Sequence, residues 1–467
     1  MRRTLTLILL VILSTTFLLT FDFQPVMAEY WNLNVSMTPQ NPGVNDLVNV
    51  TVSFTFGCEP PYVEEFSPVH VNGNIFSINV TVYLLAPGEY CWTWVHTDSH
   101  TYSLANISAG EYEFRIYVET IHWNEGYWLE ETVPFTVSIV VPNDYPTIQE
   151  AINNAEDGNT IIIRGGIYNE WEININKPLC IMAEPGFNVT LQEGFIIFHV
   201  LSSDVLIQGI NFVNITKYGV NAHSAGSGPQ QALENVGLIN NSFLGLGSNG
   251  FYSYNSYNAT IRYNLFEGIS TCSYWGAITF NNSQNGKIEG NIIKNCQAWV
   301  GGIILCCKGN HTVVRNTIQG NTPYGIRLSG SDNNIIYHNN FINNTNQVYS
   351  TYSYNNTWDN GCEGNYWSNY NGTDLNGDGI GDTELPWEGV DYYPLMNLYW
   401  NPGDINHDLR VDMRDVGRAA RAYDAELGHE RWNPHADITG TRSLVPDGKV
   451  DMRDIGLIAR YFGLIYS

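Results

Sequence analysis

The sequence predicts a mainly-β chain in three parts: an N-terminal β-sandwich, a central parallel β-helix, and a small C-terminal α-helical calcium-loop domain. Three observations predict it. Short β-branched runs separated by turn residues fill the region before residue 140. From about residue 200 the chain repeats itself every 23 to 31 residues. Near the end an acidic loop followed by an apolar-striped helix occurs twice.

Bulk properties bound the function. The 467 residues exceed one ordinary core and call for several domains. Asp and Glu number 46 against 21 Lys and Arg, a net charge of -25. Nucleic-acid binding needs a basic footprint, and anionic lipid repels such a chain, so both are excluded as partners. Cation binding or an uncharged ligand fits. Only 14% of residues are charged, so Asn, Ser, Thr, Tyr and Gly must supply most of the polar surface.

The first element is a targeting segment, residues 1–28. Arg2 and Arg3 precede an apolar run from Leu5 to Phe21, and Val26-Met27-Ala28 closes it with small residues. This is the form of a secretory signal cut after Ala28; an uncleaved anchor is the alternative reading of so long a run. The mature chain then has no later stretch long enough to span a membrane and is expected to be secreted or attached to a cell surface. Export permits disulfides among Cys58, Cys91, Cys180, Cys272, Cys296, Cys306, Cys307 and Cys362. A Cys58–Cys91 bridge is expected, and sequons such as Asn79 and Asn188 allow glycosylation.

Residues 29–140 form the sandwich. The runs LVNVTVSFTF, FSINVTVYLL, YEFRIYVET and TVPFTVSIV alternate or are β-branched, and NPGVND and APGEY supply turns. In the next element, Ile148, Ala151, Ile152 and Ala155 share a helical face, Asp157-Gly158 stops the helix, and Thr160–Ile163 starts a strand. That helix, over 147–156, caps the β-helix so that its core and strand edges are not left open.

The repeat has a physical logic. An apolar residue opens each unit at Ile207, Leu238, Ile261, Ile288, Val313 and Ile336. A second follows five later at Phe212, Phe243, Phe266, Ile293, Ile318 and Phe341, with Asn two before it at Asn241, Asn264, Asn291, Asn316 and Asn339. One such coil is too small to bury its own face, whereas stacked coils place like on like. Inward Asn can bond the bent backbone and the Asn above it. The opening PTIQEAINNAEDGNTIIIRGGIYNE, these Asn-bearing units and the ending NTWDNGCEGNYWSNYNGTDLNGDGIGD resemble the NosD-type right-handed β-helix family over 144–400. The resemblance implies the pectin-lyase-like fold. The copper in that family's name is not carried over, because no dense His/Met cluster occurs. His199, His223, His311 and His338 are far apart in sequence and read as surface or turn residues.

Calcium (Ca2+) is the expected cofactor. It takes six to eight oxygens from a short loop, supplied by alternate residues. In DINHDLRVDMRD these are Asp404, Asn406, Asp408, the Arg410 carbonyl, Asp412 and Asp415, and the helix after them is expected to bury Met413, Val416, Ala420 and Tyr423. The second copy would use Asp437, Thr439, Asp447, the Lys449 carbonyl, Asp451 and Asp454. A third loop, DLNGDGIGD, offers Asp374, Asn376, Asp378 and Asp382. The duplicated loop–helix over 402–467 resembles a dockerin. That implies docking on a cohesin-like partner. Met413-Arg414 and Met452-Arg453 stand where that family usually has small hydroxyl residues, so an intramolecular partner is the alternative.

The resemblance to pectin-lyase-like proteins raises enzymatic readings: a polysaccharide lyase, a glycoside hydrolase or an epimerase. Hydrolysis needs two carboxyls a few ångströms apart, and a lyase needs a base near a charge-neutralising cation. The repeats hold few acids, namely Asp204, Glu234, Glu267, Glu289 and Asp332; Glu267, Glu289 and Arg315 are candidates to converge across neighbouring coils, and a solvated face is the favoured reading. Tyr252, Tyr254, Tyr257, Tyr263, Tyr274, Trp275 and Trp299 offer flat rings for sugars or for packing. The reading is extracellular carbohydrate recognition or adhesion, with a polysaccharide enzyme or a surface-layer component as alternatives.

Overall fold

The computed structural model describes residues 31–460 apart from 41, 59–60, 86–88, 91, 93, 122–125, 224–231, 271–274, 298–300, 400–402, 404, 406–410, 427–430, 432–435 and 437–448. The targeting segment, Cys91, Cys272, Tyr274, Trp299, Asp404, Asn406, Asp408, Arg410, Asp437, Thr439 and Asp447 therefore lie outside the described residues. The chain divides into two compact units, up to Val137 and from Ser138 onward.

The first unit is two sheets around one core. Strands β1 (Trp31–Thr38), β2 (Val48–Phe56) and β6 (His96–Leu104) form an antiparallel sheet. Strands β3 (Tyr62–Phe66), β4 (His70–Asn72), β5 (Ile75–Tyr83), β7 (Gly110–Ile121) and β8 (Trp128–Val137) form the other. Alternation decides the faces: Val48, Val50, Val52, Phe54 and Phe56 are all fully buried, while the residues between them are half-buried. They meet Ile78, Val80, Phe114 and Ile116 from the second sheet. The run TVPFTVSIV is split. Its last residues join Ile139–Val141, which pairs in parallel with Thr160–Ile163 and so starts the second unit.

The second unit is a parallel β-solenoid with nine-, nine- and eight-stranded sheets. Helix α1 (Ile148–Asn154) closes its start, with Thr147 capping it through a bond from the Glu150 amide of 3.1 Å. At the other end Lys177 Nζ donates to the Ile152, Asn153 and Ala155 carbonyls at 3.1, 2.9 and 2.6 Å, a cation where the helix dipole is negative.

The repeating apolar residues stack as the spacing predicts. Ile207, Leu238, Ile261, Ile288, Val313 and Ile336 are in register along the first sheet and fully buried. Phe212, Phe243 and Phe266 stack along the second sheet with ring centroids 4.6 and 4.7 Å apart. That distance is the strand spacing itself. At the turn between these sheets the backbone enters the left-handed region at Asn240, Tyr263, Arg315 and His338. The buried Asn that follows makes a directed ladder. The amide and Nδ2 of Asn316 both donate to Asn339 Oδ1 at 2.9 Å, and Nδ2 also reaches the Ile288 carbonyl at 2.9 Å. Asn241, Asn264, Asn291 and Asn339 repeat the pattern. Every donor aimed along the ladder needs an acceptor beyond it, and the last acceptor is Asp391. It takes bonds from the Asn365 amide and Trp367 Nε1 at 2.8 Å each and from the Tyr393 amide at 2.9 Å. Trp367 and Trp387, stacked 3.8 Å apart, cover the end of the aromatic column.

Beyond this closure the Tyr399 backbone is tied back to the Asn340 side chain by two bonds of 2.6 and 2.8 Å. Helices α2 (Met413–Ala422) and α3 (Met452–Arg460) follow and share a core of Val411, Ala419, Ala422, Val450 and Ile458. Tyr263 of the solenoid packs against that core. The expected buried face of α2 is wrong by a rotation. Asp415, Ala419 and Ala422 are buried, Val416 is half-buried, and Met413, Ala420 and Tyr423 are exposed. Ala419 and Ala422 pack on Val411, Val450 and Ile458, and the capping box holds Asp415, whose Oδ2 accepts from the Asp412 amide at 2.8 Å.

Candidate ligand-binding face

Parallel pairing puts one outward residue per coil into a column. On the third sheet that column runs His199, Asn221, Tyr252, Thr279, Ile304, Arg327 and Tyr349; His199, Tyr252, Arg327 and Tyr349 reach the surface, while Asn221, Thr279 and Ile304 are buried. Tyr252 stacks on Tyr218 at 5.6 Å and meets the edge of Trp275 at 5.3 Å. Asn281 Nδ2 donates to the Tyr252 hydroxyl at 3.2 Å. Lys217 lies over the rings of Phe195 and Tyr218 at 5.0 and 4.9 Å, and Arg327 over Tyr349 at 5.4 Å, itself stacked on Tyr324. Burial raises the phenols of Tyr218 and Tyr252 above their ordinary values, so both remain neutral hydroxyls in water near neutrality. Flat rings edged by amides, hydroxyls and cations are the chemistry that holds a sugar: the rings cover its apolar face and the edges satisfy its hydroxyls.

At one end of the column His199 Nε2 lies 2.6 Å from Glu172 Oε2, and the His199 and His223 rings approach to 6.1 Å. The histidine expectation needs correction. His199 and His223 are neighbours, because a coil's length of sequence separates them and stacking cancels that separation. His311 is at a turn but wholly buried, stacked on Phe280 at 5.1 Å, with burial lowering it to about 4. His338 is nearly buried too, 2.6 Å from Glu363 and stacked on Tyr399.

Of the expected trio, Glu289 and Arg315 meet at 3.3 Å, while Glu267 lies on the second sheet and pairs with Lys294 at 3.2 Å. Glu289 is nearly buried and also engages Arg262 and Lys287 at 2.9 and 2.8 Å. A carboxylate gripped by three cations reads as a lock between coils. Asp332 accepts from the Tyr354 amide at 2.7 Å and Asp204 from Asn235 at 2.7 Å, both turn-fixing roles. Of the aromatics, Tyr252, Tyr254 and Trp275 belong to the third-sheet face. Tyr257 lies on a small separate sheet beside Lys308, and Tyr263 lies on the ladder turn.

The acidic loops are organised by their own amides. Asp374 accepts from the Gly377 and Gly379 amides at 2.7 and 2.9 Å, Asn376 from the Asp378 amide at 2.9 Å, and Asp382 from the Leu375 amide at 2.7 Å. The two helix starts are copies: the Asp451 amide donates to Asp454 Oδ2 at 2.7 Å as Asp412 does to Asp415, and both Asp415 and Asp454 are fully buried. Lys449 pairs with Asp424 and Glu426 at 3.2 and 3.4 Å. Among the described residues no three His, Cys, Asp or Glu groups converge as a metal cluster.

Known proteins are similar to parts of this chain. Residues 152–372 match the family model described as "Periplasmic copper-binding protein (NosD)". A "Probable ABC transporter binding protein NosD" of Stutzerimonas stutzeri is 33% identical over 145 residues, 27% of this chain and 33% of that protein. One of the same description from Pseudomonas aeruginosa is 39% identical over 100 residues, 19% of this chain and 23% of that protein. The chain thus spans a third or less of the length of these curated relatives. Among solved structures, pectate lyase Pel9A aligns at a TM-score of 0.30 and 12% identity, over 46% of this chain and 75% of that one. A periplasmic alginate epimerase aligns at 0.21 and 14%, over 56% and 77%. Likenesses at these scores support no inference about this chain. The copper of the family description needs converging imidazole, thiolate or thioether groups. Among the described residues His199 lies near His223 and Cys306 beside Cys307, and no three His, Cys, Asp or Glu groups converge, so the described donor set does not fit. What pairing and ladder establish is a parallel β-helix, and its residues 152–372 are similar in sequence to the NosD family.

Proposed function

We propose that this is an exported carbohydrate-recognition protein whose ligand lies along the outer face of the third sheet. The observation that carries the reading is the Tyr218–Tyr252–Trp275 ring cluster with Asn281 at its edge. The domain plan is a signal at 1–28, a sandwich at 29–140, the β-helix at 144–400 and a dockerin-like module at 402–467. The periplasmic description of the matched family supports a location outside the cytoplasm. Among the described residues no helix is long and apolar enough to cross a membrane. A glycan array with the full chain tests the reading: neutral or acidic oligosaccharides bind, and Tyr252→Ala loses the binding. Absence of any glycan hit sinks it.

The C-terminal module binds calcium in this reading, and the copied capping geometry of Asp412/Asp415 and Asp451/Asp454 supports it. The packing of Tyr263 against its core favours an intramolecular partner over a cohesin-like one. A second reading, a polysaccharide lyase or epimerase, is favoured by one observation, the Glu172-oriented His199 on the same face as Tyr252. A histidine held by a carboxylate suits removal of the proton beside a uronate carboxyl. Appearance of ultraviolet-absorbing unsaturated products from a uronan, abolished in His199→Ala, would select it. A surface-layer component would instead self-assemble without sugar affinity.

A further inference from the structure

The first unit carries a concentration of aromatic rings at one pole that the glycan reading does not use. Strand register defines the pole. Trp31, Phe56 and His96 are partners across one sheet, and Tyr62 and Tyr83 are partners across the other with rings 5.1 Å apart. Glu130 ties the two sheets together there, accepting from Trp31 Nε1 at 3.2 Å and Trp128 Nε1 at 2.8 Å. Tyr83 and His96 both lie at this pole, and between them Tyr90 is 91%, Trp92 76%, Trp94 71% and Val95 73% exposed. Isolated exposed apolar residues are ordinary, but three aromatic rings within five residues form a patch that asks for a partner.

We infer that this pole seats in the headgroup–acyl boundary of an uncharged or zwitterionic bilayer. Indole and phenol rings are amphipathic and collect at that depth. The chain enters the unit at the same pole, through Trp31, and the apolar run Leu5–Phe21 lies just upstream. The ten residues from Asp22 to Trp31 reach at most about 35 Å, so any membrane holding that run lies within reach of Trp92 and Trp94. The net charge of -25 disfavours anionic lipid, so the attraction is aromatic rather than electrostatic. This inference stands apart from the glycan reading, which concerns the solenoid alone.

The test uses the full chain with phosphatidylcholine vesicles carrying lipid brominated near the headgroup end of the acyl chains. Quenching of tryptophan fluorescence is the deciding readout, because an uncleaved Leu5–Phe21 run would bring the chain to vesicles by itself and contains no Trp. The wild-type chain is expected to be quenched. Trp92→Phe/Trp94→Phe loses that quenching while keeping its melting temperature, since both side chains are exposed. Trp92→Ala and Trp94→Ala each weaken vesicle partitioning of the chain lacking residues 1–28 by about tenfold. Adding phosphatidylglycerol weakens it further. Equal quenching of wild type and Phe variant overturns the inference. So does stronger binding to anionic vesicles, or protection of Trp92 and Trp94 by a soluble oligosaccharide instead of lipid.

Discussion

Two single residues give this protein measurable signatures. Tyr252 stands mid-column on the third sheet, with one ring stacked on it, another at its edge and an amide on its hydroxyl. Truncation to Ala removes the stacking surface without touching the core, so glycan affinity is expected to fall about tenfold or more with little change in melting temperature. Titration calorimetry with the best oligosaccharide from an array checks it. Asp391 is the second. It ends the Asn ladder, and burial raises its carboxyl to about 6 from 3.8. A carboxyl with a folded value above its unfolded value binds more protons when folded, so stability falls as pH rises through the window from about 4 to about 6. A rise of that size corresponds to a loss of about 3 kcal/mol across the window. Urea midpoints between pH 3.5 and 7 should show this slope in the wild-type chain and a flatter one in Asp391→Asn. Parallel slopes would remove Asp391 as the cause.

At the level of elements, the ladder is where the solenoid is most brittle. Asn316→Ala removes the acceptor of two donors on Asn291 and the donors to Asn339 Oδ1 and the Ile288 carbonyl. Each orphaned buried group costs about 1–3 kcal/mol, so a loss of about 3–5 kcal/mol is expected by urea denaturation. Coils contact chiefly their neighbours, so amide exchange should accelerate most in the coils around Asn291 and Asn339. The terminal helices follow a different logic. Two buried carboxylates in copied positions, Asp415 and Asp454, are expensive unless a cation or bonds hold them. EDTA is expected to reduce helicity and expose 402–460 to protease, with recovery on adding calcium. Unchanged resistance would leave the metal reading without support.

For the molecule as a whole, the charge of -25 sets the response to salt. A neutral glycan should bind with an affinity nearly independent of ionic strength. An acidic polysaccharide is repelled at long range, so its affinity should rise between about 50 and 300 mM salt as screening shortens that repulsion. Opposite behaviour, falling affinity with salt, would point to local cations such as Lys217 and Arg327 as the dominant contact.

The solenoid was legible along the chain, because its period is a local property: an apolar residue, an Asn and a second apolar residue at constant spacing can be satisfied only by stacking copies. The cap helix and the strand Thr160–Ile163 were legible for the same reason. Which residues share a surface became visible only once the coils were stacked. Coils differ in length, so register between them follows from backbone pairing and not from counting. That is why His199 comes to lie against His223 and Glu172, why Glu267 parts from Glu289, and why His311 disappears into the core. The rotation of α2 away from Met413 was likewise settled by packing of Ala419 and Ala422 on Val411, Val450 and Ile458, a tertiary choice among faces that periodicity leaves nearly equivalent.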